Sequence, residues 1–197
     1  DDVEYATAGT PIVGTGGVQI KGLCVNGWAT TSAIGISLAG NNHWVTQCYI
    51  GTNAQGLAAV PNDTGVSITG NYTIIGTNVD GSNDANEGNL ISSNTDQGIS
   101  CGASQSLRIA GNLIGVAVSG KTALPGQQVG IEVTRFAADL LIGGPRGAAS
   151  NTISGNTANG VQFNTYSSSA TYPASAPRIS GNMIGTDLKG TAAIPNG

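Results

Sequence analysis

A short box recurs six times in this chain: glycine, then isoleucine or valine, a polar residue and an apolar one. The copies are Gly17-Val18-Gln19-Ile20, Gly35-Ile36-Ser37-Leu38, Gly65-Val66-Ser67-Ile68, Gly98-Ile99-Ser100-Cys101, Gly130-Ile131-Glu132-Val133 and Gly160-Val161-Gln162-Phe163. Their glycines are 18, 30, 33, 32 and 30 residues apart. A near-constant period of that size marks a stacked solenoid, in which each repeat buries its apolar side against its neighbours.

Within each box the apolar residues alternate with a polar one, the period of a strand with one buried and one wet face. A second family of strands ends in Ile-Gly or Ile-Ser: Tyr49-Ile50-Gly51, Ile74-Ile75-Gly76, Leu90-Ile91-Ser92, Leu113-Ile114-Gly115, Leu141-Ile142-Gly143, Thr152-Ile153-Ser154 and Met183-Ile184-Gly185. Flanking segments such as Leu107-Arg108-Ile109 and Pro177-Arg178-Ile179 bring the number to about three per repeat. Three short strands in roughly 30 residues, with no 3.6-residue apolar stripe, predict an all-β, single-stranded parallel β-helix. About six turns at roughly 4.8 Å per turn make a rod about 30 Å long.

Asn89, Asn112, Asn151, Asn156 and Asn182 each stand next to a glycine or serine at a strand boundary. Sharp corners favour residues that tolerate left-handed dihedrals, and equivalent amides in a stack can bond to one another. We therefore assign Asn89, Asn112, Asn151 and Asn182 a structural role. A longer period overlies the single turn. Ile50 to Asn62 is echoed by Ile114 to Gly126 and by Ile184 to Asn196, which predicts one type of loop at one corner of every second turn. Residues 77–87, 144–149 and 164–176 read as variable insertions on the alternate turns. Residues 1–16 are irregular and read as a segment that could cover one end. Residues 17–197 are repeats, open at the C-terminal end. The chain starts at Asp1 without an initiator methionine and stops in mid-pattern, so we read it as a processed product or a piece of a longer array.

The segments from Arg178 to Asn196 and from Asn151 to Asn156, followed by Gly160-Val161, resemble the right-handed parallel β-helix repeats of bacterial secreted and surface proteins with the pectin-lyase-like fold. The likeness covers roughly residues 17–197; Val116 and Gly126 stand where the loop usually carries Thr and Asn. It implies a right-handed coil and an extracellular or cell-surface setting. It does not imply one activity, since members of that fold serve as structural or adhesive elements and others cleave polysaccharides.

Composition narrows the partners. The net charge is −4, which gives nucleic acid no electrostatic footing. No apolar run reaches the roughly 20 residues of a membrane-crossing helix. Polysaccharide cleavage needs carboxylates converging on one wall with a cation beside them. The 11 acidic and 7 basic residues are instead scattered over different turns. Asn94-Thr95-Asp96 matches a tripeptide of polygalacturonase-type hydrolases, without that family's paired aspartates, Gly-His-Gly or Arg-x-Lys. His43 stands alone. We assign no catalytic residue.

Asp80, Asp84 and Glu87 alternate with amides in one insertion and offer the hard oxygens that calcium requires. Calcium is thus the one cofactor with a candidate site. Trp28, Trp44, Tyr166 and Tyr172 are candidate stacking platforms for a glycan. Cys101 takes the inward fourth position of its box and reads as a buried apolar thiol. Cys24 and Cys48 lie at similar places in adjacent repeats; a disulfide needs their Cα atoms within about 6 Å, which spacing alone leaves open. The expectation is a non-catalytic structural or adhesive solenoid segment, able to stack end to end into a fibre. The alternative is a carbohydrate-active module, enzyme or binding domain, with a polysaccharide partner.

Overall fold

The computed structural model describes residues 12–102, 104–134, 139–164 and 177–197. Over these the chain makes six turns of three strands each. The first turn holds β1 (Ile12–Gly16), β2 (Gln19–Lys21) and β3 (Cys24–Val25). The second holds β4 (Ile34–Asn41), β5 (Trp44–Thr46) and β6 (Tyr49–Ile50). The third holds β7 (Thr64–Ile68), β8 (Ile74–Gly76) and β9 (Leu90–Ile91). The fourth holds β10 (Gln97–Cys101), β11 (Arg108–Ala110) and β12 (Leu113–Ile114). The fifth holds β13 (Val129–Val133), β14 (Leu141–Gly143) and β15 (Thr152–Ile153), and the sixth β16 (Val161–Phe163), β17 (Arg178–Ser180) and β18 (Met183–Ile184).

Every strand pairs in parallel with its counterpart one turn away, which builds three six-stranded walls and a parallel β-helix. Parallel crossovers are right-handed in nearly all proteins. Wall one carries the boxes. Its inward columns are Ile36, Val66, Ile99, Ile131 and Val161, and Leu38, Ile68, Cys101, Val133 and Phe163. Wall two stacks Ile20, Val45, Ile75, Ile109, Ile142 and Ile179. Wall three stacks Val25, Ile50, Ile91, Ile114, Ile153 and Ile184. In the first five turns these side chains are buried, from 4% exposed at Ile20 to 0% at most positions, and together they fill the lumen. Such columns are the main source of stability: each Ile or Leu taken from water contributes about 1.5–3 kcal/mol.

The pairing corrects three sequence readings. First, Gly17-Val18-Gln19-Ile20 is not a wall-one box. Gln19, Ile20 and Lys21 pair with Trp44, Val45 and Thr46 in wall two. The first wall-one strand is β1, with Ile12 opposite Ile36 and Gly14 opposite Leu38. The coil therefore starts no later than Ile12, inside the segment read as irregular. Alternation of apolar and polar residues is the same in any wall, so only pairing across turns separates them. Second, the Ile-Gly and Ile-Ser strands are two families. Ile74–Gly76 and Leu141–Gly143 belong to wall two, the others to wall three. Third, residues 77–87 and 144–149 join walls two and three on the alternate turns, whereas residues 164–176, of which 165–176 lie outside the described residues, fall in sequence between β16 of wall one and β17 of wall two, on a turn that also carries a long loop.

The two-turn loops are confirmed as one type. Thr52–Ala59, Val116–Ala123 and Thr186–Ala193 form antiparallel bridges at their bases. Within the loops the backbone bonds repeat as Asn53 N–H to Ala58 O, Ala117 to Thr122 and Asp187 to Ala192. The loops also touch one another: Val118 N–H donates to Gly56 O (3.1 Å) and Leu188 N–H to Gly120 O (2.9 Å). The first arm meets the turn before it, through Ser92 Oγ on Val116 O and Ser154 Oγ on Thr186 O, both 2.7 Å. The second arm meets the turn after, where Ala123 lies against Gly155. Two stacked arms occupy about 9.6 Å, the rise of two turns. Hence the loop can recur only on alternate turns.

Candidate functional site

Most of the distinctive polar chemistry lies in two columns of amide side chains buried at the corners. Between walls two and three, Asn89 Nδ2 donates to Asn112 Oδ1 (2.9 Å), Asn112 to Asn151 (3.0 Å) and Asn151 to Asn182 (2.9 Å). Each Oδ1 also accepts a backbone N–H from the turn before: Cys48 to Asn89, Asn89 to Asn112, Asn112 to Asn151 and Asn151 to Asn182, at 2.9–3.1 Å. Each Nδ2 reaches a wall-two carbonyl, those of Val45, Ile75, Ile109 and Ile142, at 2.8–2.9 Å. An amide has two donors and an acceptor with two lone pairs, and here nearly all are used. The corner turns leave backbone groups without a sheet partner, and the amides satisfy them. The four asparagines assigned a structural role from sequence are all in this column; Asn156, named beside them, is not.

Of the second column, at the corner between wall three and the next turn's wall one, sequence reading picked out Asn156 alone and missed the rest. Asn62 Nδ2 donates to Asn94 Oδ1 (3.0 Å), Asn94 to Gln127 Oε1 (3.1 Å), Gln127 Nε2 to Asn156 Oδ1 (2.8 Å) and Asn156 to Asn196 (2.8 Å). The recurrent Pro61-Asn62 and Pro195-Asn196 at the ends of two long loops were the available signal. In the third loop Gly126 does not replace the asparagine. It is an added residue with φ 118°, and Gln127 behind it takes the amide position. Asn94 is 0% exposed inside this column, so the tripeptide Asn94-Thr95-Asp96 is split between interior and surface.

At the same corner the Thr95 hydroxyl donates to Asp63 Oδ1 (2.7 Å) and the Ser32 N–H to Asp63 Oδ2 (2.6 Å). Asp96 follows Asp63 one turn on, its N–H on the Asp63 carbonyl (2.9 Å). Partial burial, and then the charge of Asp63, push the Asp96 carboxyl above its ordinary range.

The structure does not bring Asp80, Asp84 and Glu87 together. Asp80 accepts from Ser82 N–H (2.7 Å) and Asn78 Nδ2 (2.9 Å). Asp84 accepts from the Thr77 hydroxyl and Gly81 N–H, both 3.1 Å, and Glu87 from Asn78 N–H at 3.3 Å. Their oxygens hold the insertion in shape, around a single 3-10 turn at Asp84–Asn86. Among the described residues no three acidic, histidine or cysteine side chains sit close enough to hold a metal ion.

Trp28 is half-buried against the lumen, with an indole N–H that finds no acceptor among the described residues. Trp44 lies on the outer face of wall two, between Gln19 and Ile74, its indole N–H on Gly76 O (2.8 Å). Tyr166 and Tyr172 lie outside the described residues. A groove of about 230 Å³ does present an aromatic side chain, that of Tyr49, on the outer face of wall three. Leu90 and Leu113 lie beside Tyr49, Asn86 on one rim, and Val118 and Leu188 of the loop stack on the other.

All three thiols are free and buried. Cys101 is 0% exposed, in line with Ile68 and Val133, and burial, with a smaller push from Glu132, raises it to about 12. Cys24 pairs with Tyr49 rather than Cys48, and its thiol donates to Thr52 O (3.4 Å). Cys48 heads the first amide column in place of an asparagine. Its thiol lies on Ile20 O (3.7 Å), as the Asn89 amide lies on Val45 O, and burial raises it to about 11. His43 is 1% exposed with Nε2 on Ala39 O (3.1 Å), a corner residue of the interior. Among the described residues no helix is long and apolar enough to cross a membrane. Compared with family models, curated proteins and solved structures, the chain matches none.

Proposed function

We propose that this chain is a non-catalytic structural or adhesive segment of a secreted or cell-surface protein, of the bacterial repeat type that its sequence resembles. The observation that carries the reading is the pair of amide columns. They tie successive turns together by buried side-chain bonds in addition to the three walls. Chemistry spent this way gives stiffness and reach, since each bond that spans two turns opposes bending and unstacking. The loop stack supplies the contact surface, with Leu57 and Leu188 exposed on it. A glycan array combined with a reducing-end release assay on a polysaccharide panel tests this reading. Binding without release supports an adhesive role, and release of new reducing ends sinks the non-catalytic one.

One observation favours the alternative, a carbohydrate-active module. Asp63 and Asp96 present carboxyl groups from successive turns at one corner, and Asp96 holds its proton more tightly than an ordinary aspartate. A carboxyl that holds its proton tightly beside a second carboxyl is an arrangement a general acid can use. Loss of any polysaccharide cleavage in both Asp63→Asn and Asp96→Asn would favour this second reading.

A further inference from the structure

Wall two turns one column of large side chains outward. The residues that precede its inward column are Gln19, Trp44, Ile74, Arg108, Leu141 and Arg178, each in register with the next. Trp44, Arg108 and Arg178 stand on the second, fourth and sixth turns, so neighbours among them are two turns, about 9.6 Å, apart. These are the turns that carry the long loops. Ile74 and Leu141 fill the turns between. The column thus alternates: a ring or a guanidinium on one turn, an aliphatic side chain on the next.

The chain carries a net charge of −4, yet among the described residues no acidic one takes an outward position on this wall. Lys21, exposed at the end of β2, adds a third cation to it. Among the described residues neither Arg108 nor Arg178 forms an ion pair, and Asp139, two residues before Leu141, has a partner of its own. Arg108 is half-buried between its two aliphatic neighbours in the column. A guanidinium there is weakly hydrated and holds its donors in a fixed fork, two of which a carboxylate accepts together. The half-buried Trp44 ring is fixed by its indole N–H on Gly76 O (2.8 Å) and is a platform on which a pyranose can stack. Trp and Arg are also the side chains that most often carry binding energy.

We infer that this column binds an acidic polysaccharide with one carboxylate per disaccharide, laid along the axis of the coil. A disaccharide spans about the rise of two turns. Uronate groups on alternate sugars therefore meet Arg108 and Arg178, and the neutral sugar between them lies over Leu141. A carboxylate on every sugar would press one against Leu141 and another against Ile74. Each would lose water with nothing there to pair it, which opposes binding. The inference rests on the adhesive reading above and deepens it: it names the partner and adds wall two to the loop stack as a contact face.

The test titrates the full chain by calorimetry, at low salt, with a hyaluronan octasaccharide, which carries a uronate on alternate sugars. Arg108→Gln and Arg178→Gln should each weaken binding about fivefold or more, and Lys121→Gln on the loop stack should leave it unchanged. Two glycan controls read the same contact without altering the protein. A carboxyl-reduced octasaccharide and a polygalacturonate octamer, with a carboxylate on every sugar, should both bind about fivefold more weakly or worse. No binding of the hyaluronan octasaccharide overturns the inference and leaves the adhesive reading, which the glycan array tests, untouched. Equal binding of either control glycan, or full binding by the Arg108→Gln/Arg178→Gln double variant, overturns it too. Loss through Lys121→Gln instead would put the contact on the loop stack, against this inference but not against adhesion. Equal displacement by polyaspartate would make the partner an acidic peptide and overturn it as well. New reducing ends in the titration mixture would overturn the adhesive reading, and this inference with it.

Discussion

Replacing Asn112 by alanine perturbs the amide column at its centre. Asn112 is 0% exposed. Its Oδ1 accepts from the backbone (3.0 Å) and side chain (2.9 Å) of Asn89, and its Nδ2 donates to Asn151 Oδ1 (3.0 Å), Ile75 O (2.8 Å) and Ala110 O (3.1 Å). Some partners keep another bond after truncation. Asn89 Nδ2 still reaches Val45 O, Asn151 Oδ1 still accepts the Asn112 backbone N–H, and Ala110 O still accepts Thr77 N–H. The Asn89 backbone N–H loses its acceptor, and a buried unsatisfied group costs about 1–3 kcal/mol. With about 1 kcal/mol more for the void and the weakened neighbours, Asn112→Ala should lose about 2–4 kcal/mol. The assay is urea unfolding at pH 7 with the m-value checked, because a solenoid that frays turn by turn would lower it. Ser67→Ala, on the outer face of wall one, is the reference and should cost less than about 0.5 kcal/mol. The Asn89→Ala/Asn112→Ala double mutant should lose less than the sum of the singles, since each breaks the same bond. An Asn112→Ala loss no larger than that of Ser67→Ala, with an unchanged m-value, would refute the argument that the column holds the turns together.

Two glycines with positive φ separate backbone strain from close approach. A Cβ on Gly81 (φ 85°) meets open space, and one on Gly76 (φ 99°) runs into the Ala110 carbonyl of the next turn. Gly81→Ala should cost about 1–2 kcal/mol and Gly76→Ala clearly more, read as urea midpoints; equal losses would deny the contact between turns. The buried cysteines should resist alkylation at pH 8 in the folded protein and all react in denaturant; rapid native labelling of Cys101 would place it outside the lumen. Asp96 binds its proton more tightly folded than unfolded, so its contribution is favourable at low pH and is lost as pH rises through its raised pKa. Asp96→Asn should therefore raise the thermal midpoint slightly at pH 7 and leave it unchanged at pH 3, and the opposite order would contradict the sign.

The repeat period, the inward columns of Ile, Val and Leu, the buried Cys101 and the four asparagines of the first column were legible in the residues. Each is a local signature: alternation at period two, or an amide beside a glycine, repeated at a spacing that only stacking can use. The long loops were legible for the same reason. What stayed hidden was every distinction that depends on which turn lies above which. Gln19-Ile20-Lys21 and Gly35-Ile36-Ser37 have the same local pattern, and pairing with Trp44-Val45-Thr46 alone puts the first in wall two. Gln127 joins Asn94 and Asn156 although one added residue shifts it from the place its loop predicts, because a longer side chain makes up the offset. The carboxylates of residues 80–87 have the composition of a cation loop, yet neighbouring N–H groups take their oxygens. By itself, then, the sequence determined that this chain coils and what fills the coil, since burial of a periodic apolar column leaves few other solutions. The tertiary structure decided which strands share each wall and the second amide column. Those rest on bonds between residues some 30 positions apart, which no local pattern encodes.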